Sequence, residues 1–213
     1  MDFAWGIAFI IPVSIGLYLQ VRPFDKLVAA CRCSYAQLMI WLMLLLLAQF
    51  WGGGVIRLTP AAGINLPSAA LLLLGGAWLL FAERGNLWRG LLAAAAVAAL
   101  AVAAALGVFW QLGRSPISLH WLLPLFAAAL AVLAGQRIAP SLAGAMLGIL
   151  AADLLSALYL GYQAQLADVA GATTLNYICL TCLCCCGWLA AGRFLALGHS
   201  KPGEVIDFTH MAK

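Results

Sequence analysis

One carboxylate stands where carboxylates are rare. From Ser141 the sequence reads Ser-Leu-Ala-Gly-Ala-Met-Leu-Gly-Ile-Leu-Ala-Ala-Asp153-Leu-Leu, and Asp153 is the single ionisable group in that run. An isolated charge in apolar surroundings is costly, so such an acid is protonated, paired or open to water. Two readings follow and both stand: an acid that serves an activity, or a neutral packing acid hydrogen-bonded to a neighbouring helix. Gly144, Gly148 and Ala152 recur every fourth residue in the same run. Small residues at that spacing make a smooth ridge that another helix can approach closely, a helix-packing role. Downstream lies Asp168-Val-Ala-Gly-Ala-Thr-Thr-Leu-Asn176. Here Thr173 or Thr174 is expected to cap the start of a helix, and Asp168 to be a solvated loop acid. Asp153, Asn176, Thr173 and Thr174 thus form the candidate polar site, with Asp153 the one candidate for catalysis.

Cysteine is the second unusual chemistry. Cys179-x-x-Cys182-x-Cys184-Cys185-Cys186 puts Cys179, Cys182 and Cys186 on one helical face. Structural zinc takes four ligands, and no histidine stands in this stretch, so the thiols are expected to act as small apolar residues. Cys31-Arg-Cys33 has the wrong spacing for a redox Cys-x-x-Cys pair. His120, His199 and His210 do not cluster with cysteines or acids, so no metal site is expected. Walker A, dinucleotide-binding and Gly-x-Ser-x-Gly patterns are lacking in the sequence. No cofactor is expected.

The elements that must position these residues are apolar throughout. Of 213 residues, 66% are hydrophobic and 8% charged; a soluble domain carries about a quarter charged. A membrane-spanning helix needs about 20 apolar residues. Seven stretches qualify: 3–20, 35–51, 67–83, 89–110, 118–135, 140–162 and 176–197. Their apolar runs are continuous rather than alternating, and backbone groups in lipid must bond internally, so helices are expected rather than barrel strands. The expectation is an all-α, polytopic transmembrane bundle of about seven helices over residues 1–198, followed by a cytoplasmic tail, 199–213. The first run is expected to be a retained helix, not a secretory signal, because Asp2 takes the place of a positive leader.

Charge orients the bundle. Arg22, Lys26, Arg32, Arg84, Arg89, Arg137, Arg193, Lys201 and Lys213 fall on one side, which leaves Arg57 and Arg114 of the 11 basic residues on the other. The positive-inside bias then puts the N-terminus outside and the C-terminus in the cytoplasm. The basic residues are scattered singly, which excludes a nucleic-acid surface. Trp5, Trp51, Trp88, Trp110 and Trp121 fall near span ends as interfacial anchors, whereas Trp41, Trp78 and Trp188 are expected to pack more deeply. The segment 52–66, with Gly52-Gly53-Gly54, Pro60 and Pro67, reads as a surface loop or as a re-entrant, broken helix.

Three blocks carry a resemblance. They are Gly63-Ile-Asn65, then Ile138-Ala-Pro140 through Gly144, Gly148 and Asp153-Leu-Leu, then Gly171-Ala-x-Thr-Leu-Asn176-x-Ile-x-Leu-Thr181. Over roughly residues 55–190 the chain resembles a bacterial and archaeal polytopic membrane family known as domain of unknown function no. 1614. The resemblance implies an aspartate in each of two neighbouring helices, a layout similar to aspartyl intramembrane proteases. Asp153 matches the first position, but Asn176 stands at the second. An amide cannot share a proton as the second acid of such a pair.

Three functions remain open at this point. The first is a non-catalytic membrane protein, a subunit or scaffold whose partners are lipids and other membrane subunits or further copies of itself. The second is a small transporter or channel lined by Asp153 and Asn176. The third is a divergent intramembrane aspartyl protease. The short connections, the small-residue ridge and the incomplete acid pair favour the first.

Overall fold

The computed structural model describes residues 10–19, 24–50, 55–59, 62–105, 119–160 and 167–199. Among them are eight α-helices: α1 Ile10–Tyr18, α2 Asp25–Cys31, α3 Tyr35–Phe50, α4 Leu66–Ala82, α5 Leu87–Ala105, α6 Leu119–Gly135, α7 Ile138–Leu160 and α8 Ala172–His199. Each of the seven apolar stretches overlaps one of these helices, and α2 is an additional short helix in the first connection. Three are long and apolar enough to cross a membrane: Leu87–Ala104 in α5, Ile138–Leu158 in α7 and Ala172–Ala190 in α8. Helices α2 and α3 meet at a bend of 83° and would give a fourth if counted as one broken span. The hydroxyl of Tyr35 donates to the carboxylate of Asp25 across that bend. The 17 residues of α4 reach about 25 Å, a little short of the ~30 Å hydrocarbon layer.

Many large side chains face outward, and much of the interior is alanine. Leu73, Leu74, Phe81, Leu92, Phe126, Leu133, Leu155 and Leu158 are exposed. Ala93, Ala127, Ala128, Ala131, Ala143 and Ala145 are buried. In water this arrangement would leave the driving force for burial unused; in lipid, helices associate through close packing of small residues instead. Trp88 is 81% exposed, as an interfacial anchor would be. Trp78 and Trp188 are also more than a third exposed, which corrects their expected deep packing. The Trp78 ring faces outward while its N–H donates to the carbonyl of Cys31 at 2.9 Å, satisfying the one polar atom of an otherwise apolar side chain.

Helix α7 is the centre of the bundle, packed by α4, α5, α6 and α8. Its apolar window is 61% buried, against 22% for α5 and 33% for α8. Gly144 and Gly148 explain the closest of these contacts. A Cβ on Gly148 would stand 2.6 Å from the carbonyl oxygen of Ala94 and 2.7 Å from Cβ of Val97, and one on Gly144 would collide with Ala93. Ala152 continues the row and is buried as well. The ridge faces α5, whose own Ala93-Ala94 surface lets the two backbones meet.

The fold is not wholly α. Strands β1 Val55–Thr59, β2 Ala62–Asn65 and β3 Ala167–Val169 form one sheet in that order. Strands β1 and β2 are antiparallel, with Ile56 opposite Ile64, and β2 and β3 are parallel, with Ile64 opposite Val169. The segment 52–66 is therefore neither a plain loop nor a re-entrant helix over its described residues, but a hairpin. Its β-branched residues, Val55, Ile56, Thr59 and Ile64, suit a pleated surface. The sheet lies where α4 and α8 begin and α7 finishes. At the opposite end, Arg137 meets Glu83 at 3.4 Å, and Asn86 donates to the same carboxylate at 3.0 Å. The remainder of the expected first span, 3–9, and the tail beyond His199 lie outside the described residues.

Candidate functional site

Asp153 points across to the beginning of α8. Its Oδ2 accepts a hydrogen bond from the backbone N–H of Ala170 at 2.8 Å and another from the hydroxyl of Thr174 at 2.5 Å. Ala170 adopts a left-handed conformation, φ 56°, which turns the chain from β3 into the helix. The first helical turn then closes with the N–H of Leu175 donating to the carbonyl of Gly171 at 3.0 Å. Val169, Ala170, Thr174 and Leu175 are all buried.

The acid is thus a cap supplied by another helix. The first N–H groups of a helix have no partner within it, and a carboxylate near that end is favoured by the helix dipole. Hydrogen bonds to a charged group contribute roughly 1.5–3 kcal/mol each, which offsets part of the cost of burying the acid. Two expectations are corrected here. Helix α8 starts at Ala172 rather than 176, and Thr174 gives its hydroxyl proton to Asp153 rather than capping its own helix. Asp153 stands five positions before Leu158, where the apolar stretch of α7 ends, about 7.5 Å along the helix.

The other candidate residues are placed as follows. Thr173 is exposed and Asn176 half-buried, both in the opening turns of α8. Asn176 has interactions of its own. Asp168 lies in β3 opposite Gly63, not in an open loop; its side chain falls outside the described atoms, as does that of His120. The thiol of Cys185 is fully buried and donates to the carbonyl of Ala128 at 3.8 Å, joining α8 to α6.

Sequence reasoning missed one residue of this region. Asn65 is buried, accepts from the N–H of Ser68 at 3.3 Å and donates to the carbonyl of Ala48 at 3.3 Å. It caps α4 and ties that helix to the end of α3. The signal was present: asparagine followed at the second residue by Pro67 is a helix-start pattern.

Asp153 at this position holds a joint together. It fixes the end of β3, and through it the sheet, to the central helix and to the last one. No family model, curated protein or solved structure matches the chain, so its function is argued from this geometry alone.

Proposed function

We propose that the chain is a non-catalytic integral membrane protein that acts as a subunit or scaffold within a larger membrane assembly. One observation carries the reading: the acid, half-buried among the helices, has its Oδ2 engaged by a backbone amide and a neighbouring hydroxyl. Those two donors make the carboxylate a cap for the start of α8, a structural role that needs no substrate. The outward-facing leucine and phenylalanine surfaces of α4 to α7 suit lipid or other membrane helices.

Seven spans, with the N-terminus outside and the C-terminus in the cytoplasm of a prokaryotic cell, complete the proposal. Two things support it. The 9-to-2 division of the basic residues is the sequence argument. The pairing of β2 with β3 is the structural one. Four helices, α4 to α7, separate these strands in the chain, and an even number of crossings returns the chain to the same side.

Extraction in a mild detergent followed by native mass measurement tests the functional reading. The expected result is a particle heavier than the 22.5 kDa chain by the mass of further subunits. Reproducible recovery as a lone monomer would refute it. Reporters fused to the C-terminus test the orientation, and activity of a reporter that works only outside the cytoplasm would reverse it.

A further inference from the structure

Helices α5 and α7 begin side by side. A Cβ on Gly90 would stand 3.7 Å from Cα of Pro140, and further along Ala93 lies by Gly144 and Val97 by Gly148. The contacts advance together, so the two helices run parallel with both N-termini at one end of the bundle. Their connections tie the two starts to each other. Arg137, the residue before α7, meets Glu83 at 3.4 Å, and Asn86, the residue before α5, donates to the same carboxylate at 3.0 Å. Each helix start carries about half a positive charge, and neither first turn contains an acid. The first turn of α5 holds Arg89 instead, exposed, where the dipole disfavours a cation. With Arg89 and Arg137 set against Glu83, the junction keeps an excess of positive charge.

A second observation marks the same place. Ser141 closes the first turn of α7, its N–H donating to the carbonyl of Arg137 at 3.1 Å. The residue is 0% exposed, and its Oγ has no hydrogen-bond partner among the described residues. Helical side chains lean toward the N-terminus of their helix, and this one lies against Gly135, whose Cβ, if present, would stand 2.6 Å from the Oγ. The hydroxyl therefore faces back into the turn that Arg137 belongs to. A buried hydroxyl without a partner is destabilising, and an anion at this helix start supplies the missing acceptor.

We propose that this junction binds the phosphate of an anionic phospholipid, held at the start of α7 and by the Ser141 hydroxyl, with Arg89 and Arg137 supplying the positive charge around it. Helix N-termini are ready-made phosphate sites, and arginine suits phosphate because its planar fork offers two parallel N–H donors. A lipid rather than free phosphate follows from the surroundings. Trp88, beside Arg89, is 81% exposed, and Leu91 and Leu92 on the next turn face outward as well. A head group at Arg89 thus lays its acyl chains along an apolar face. The site is independent of the scaffold reading.

The test uses the full chain, stripped of lipid in a mild detergent, and reads binding from the thermal unfolding midpoint as phosphatidylglycerol is titrated in. Phosphatidylglycerol is expected to raise the midpoint, and phosphatidylcholine or inorganic phosphate to leave it in place. Arg89→Gln is expected to weaken phosphatidylglycerol binding about 10-fold, the loss of one hydrogen bond to a charged group. Ser141→Ala is the decisive variant. Without lipid it unfolds no earlier than the unaltered chain, because its hydroxyl has no bond to lose, yet its affinity for phosphatidylglycerol falls about 10-fold. Arg57→Gln, on an exposed arginine in the sheet at the opposite end, keeps full affinity. Equal weakening by Arg57→Gln would reduce the effect to diffuse charge and overturn the proposal. So would full affinity in a folded Ser141→Ala chain, an equal response to phosphatidylcholine, or inorganic phosphate bound as tightly as the lipid.

Discussion

Asp153 holds the start of α8 through two donors of different kinds, a backbone amide and a hydroxyl. Asparagine keeps an acceptor oxygen at the same place, whereas leucine removes it and leaves both donors buried. Asp153→Asn is therefore expected to unfold within about 1 kcal/mol of the unaltered protein, and Asp153→Leu to lose about 2–4 kcal/mol, measured by thermal unfolding in detergent. Equal losses from both variants would contradict a capping role. Thr174→Val keeps the amide bond, so its loss is expected to be smaller, about 0.5–1.5 kcal/mol. The acid itself was legible in the sequence, because a single charge in an apolar run has few explanations. Its partners were not. Ala170 contributes only its backbone, and nothing in an alanine announces a left-handed turn. Thr174 was visible as a capping residue, but the amides of a helix start accept any suitable oxygen, including one from another helix.

At the scale of elements, the ridge on α7 makes the sharpest demand. Gly148→Leu would drive a side chain into the backbone of α5 at Ala94, and overpacking of this kind costs about 1–3 kcal/mol or more. Gly187 has nothing within 4 Å of its would-be Cβ. Gly187→Ala in α8 is expected to be neutral or to stabilise by about 0.5–1 kcal/mol, since alanine is the better helix former. Thermal unfolding of the two variants side by side checks the contrast. The ridge was readable because period-four small residues leave few alternatives. The helix limits were less so: hydropathy reports where a chain is apolar enough for lipid, not where it is helical. Ala172, Thr173 and Thr174 lie before the expected span, yet they are helical, with Thr174 bonded to Asp153. The hairpin was obscured for a different reason. Glycine and proline around 52–67 dominated a signal that the β-branched residues Val55, Ile56, Thr59 and Ile64 already carried.

For the molecule as a whole, the sheet joins two connections that the sequence leaves unrelated. Parallel pairing puts Ile64 directly opposite Val169, at a spacing a disulfide can bridge. Mild oxidation of an Ile64→Cys, Val169→Cys double variant is expected to hold the two halves together after proteolysis between them. Moving the second cysteine one place, to position 168, is expected to slow cross-linking, because successive residues of a strand alternate between its two faces. Equal rates would exclude the register. Seven apolar stretches were readable from hydropathy and an orientation was arguable from charge, but strand pairing between distant connections leaves no periodic trace in a sequence.

That pairing also sets a clock on biosynthesis. The ribosome completes β2 about 100 residues before β3, an interval of about 5–20 s at ~5–20 residues per second. Throughout it, β1 and β2 stand as a two-stranded hairpin, which is marginal by itself, with one side of β2 open to any extended peptide nearby. A message truncated before codon 167 never supplies the closing strand. Its product keeps that adhesive edge permanently and presents it to whatever quality-control proteases or chaperones patrol that face of the membrane.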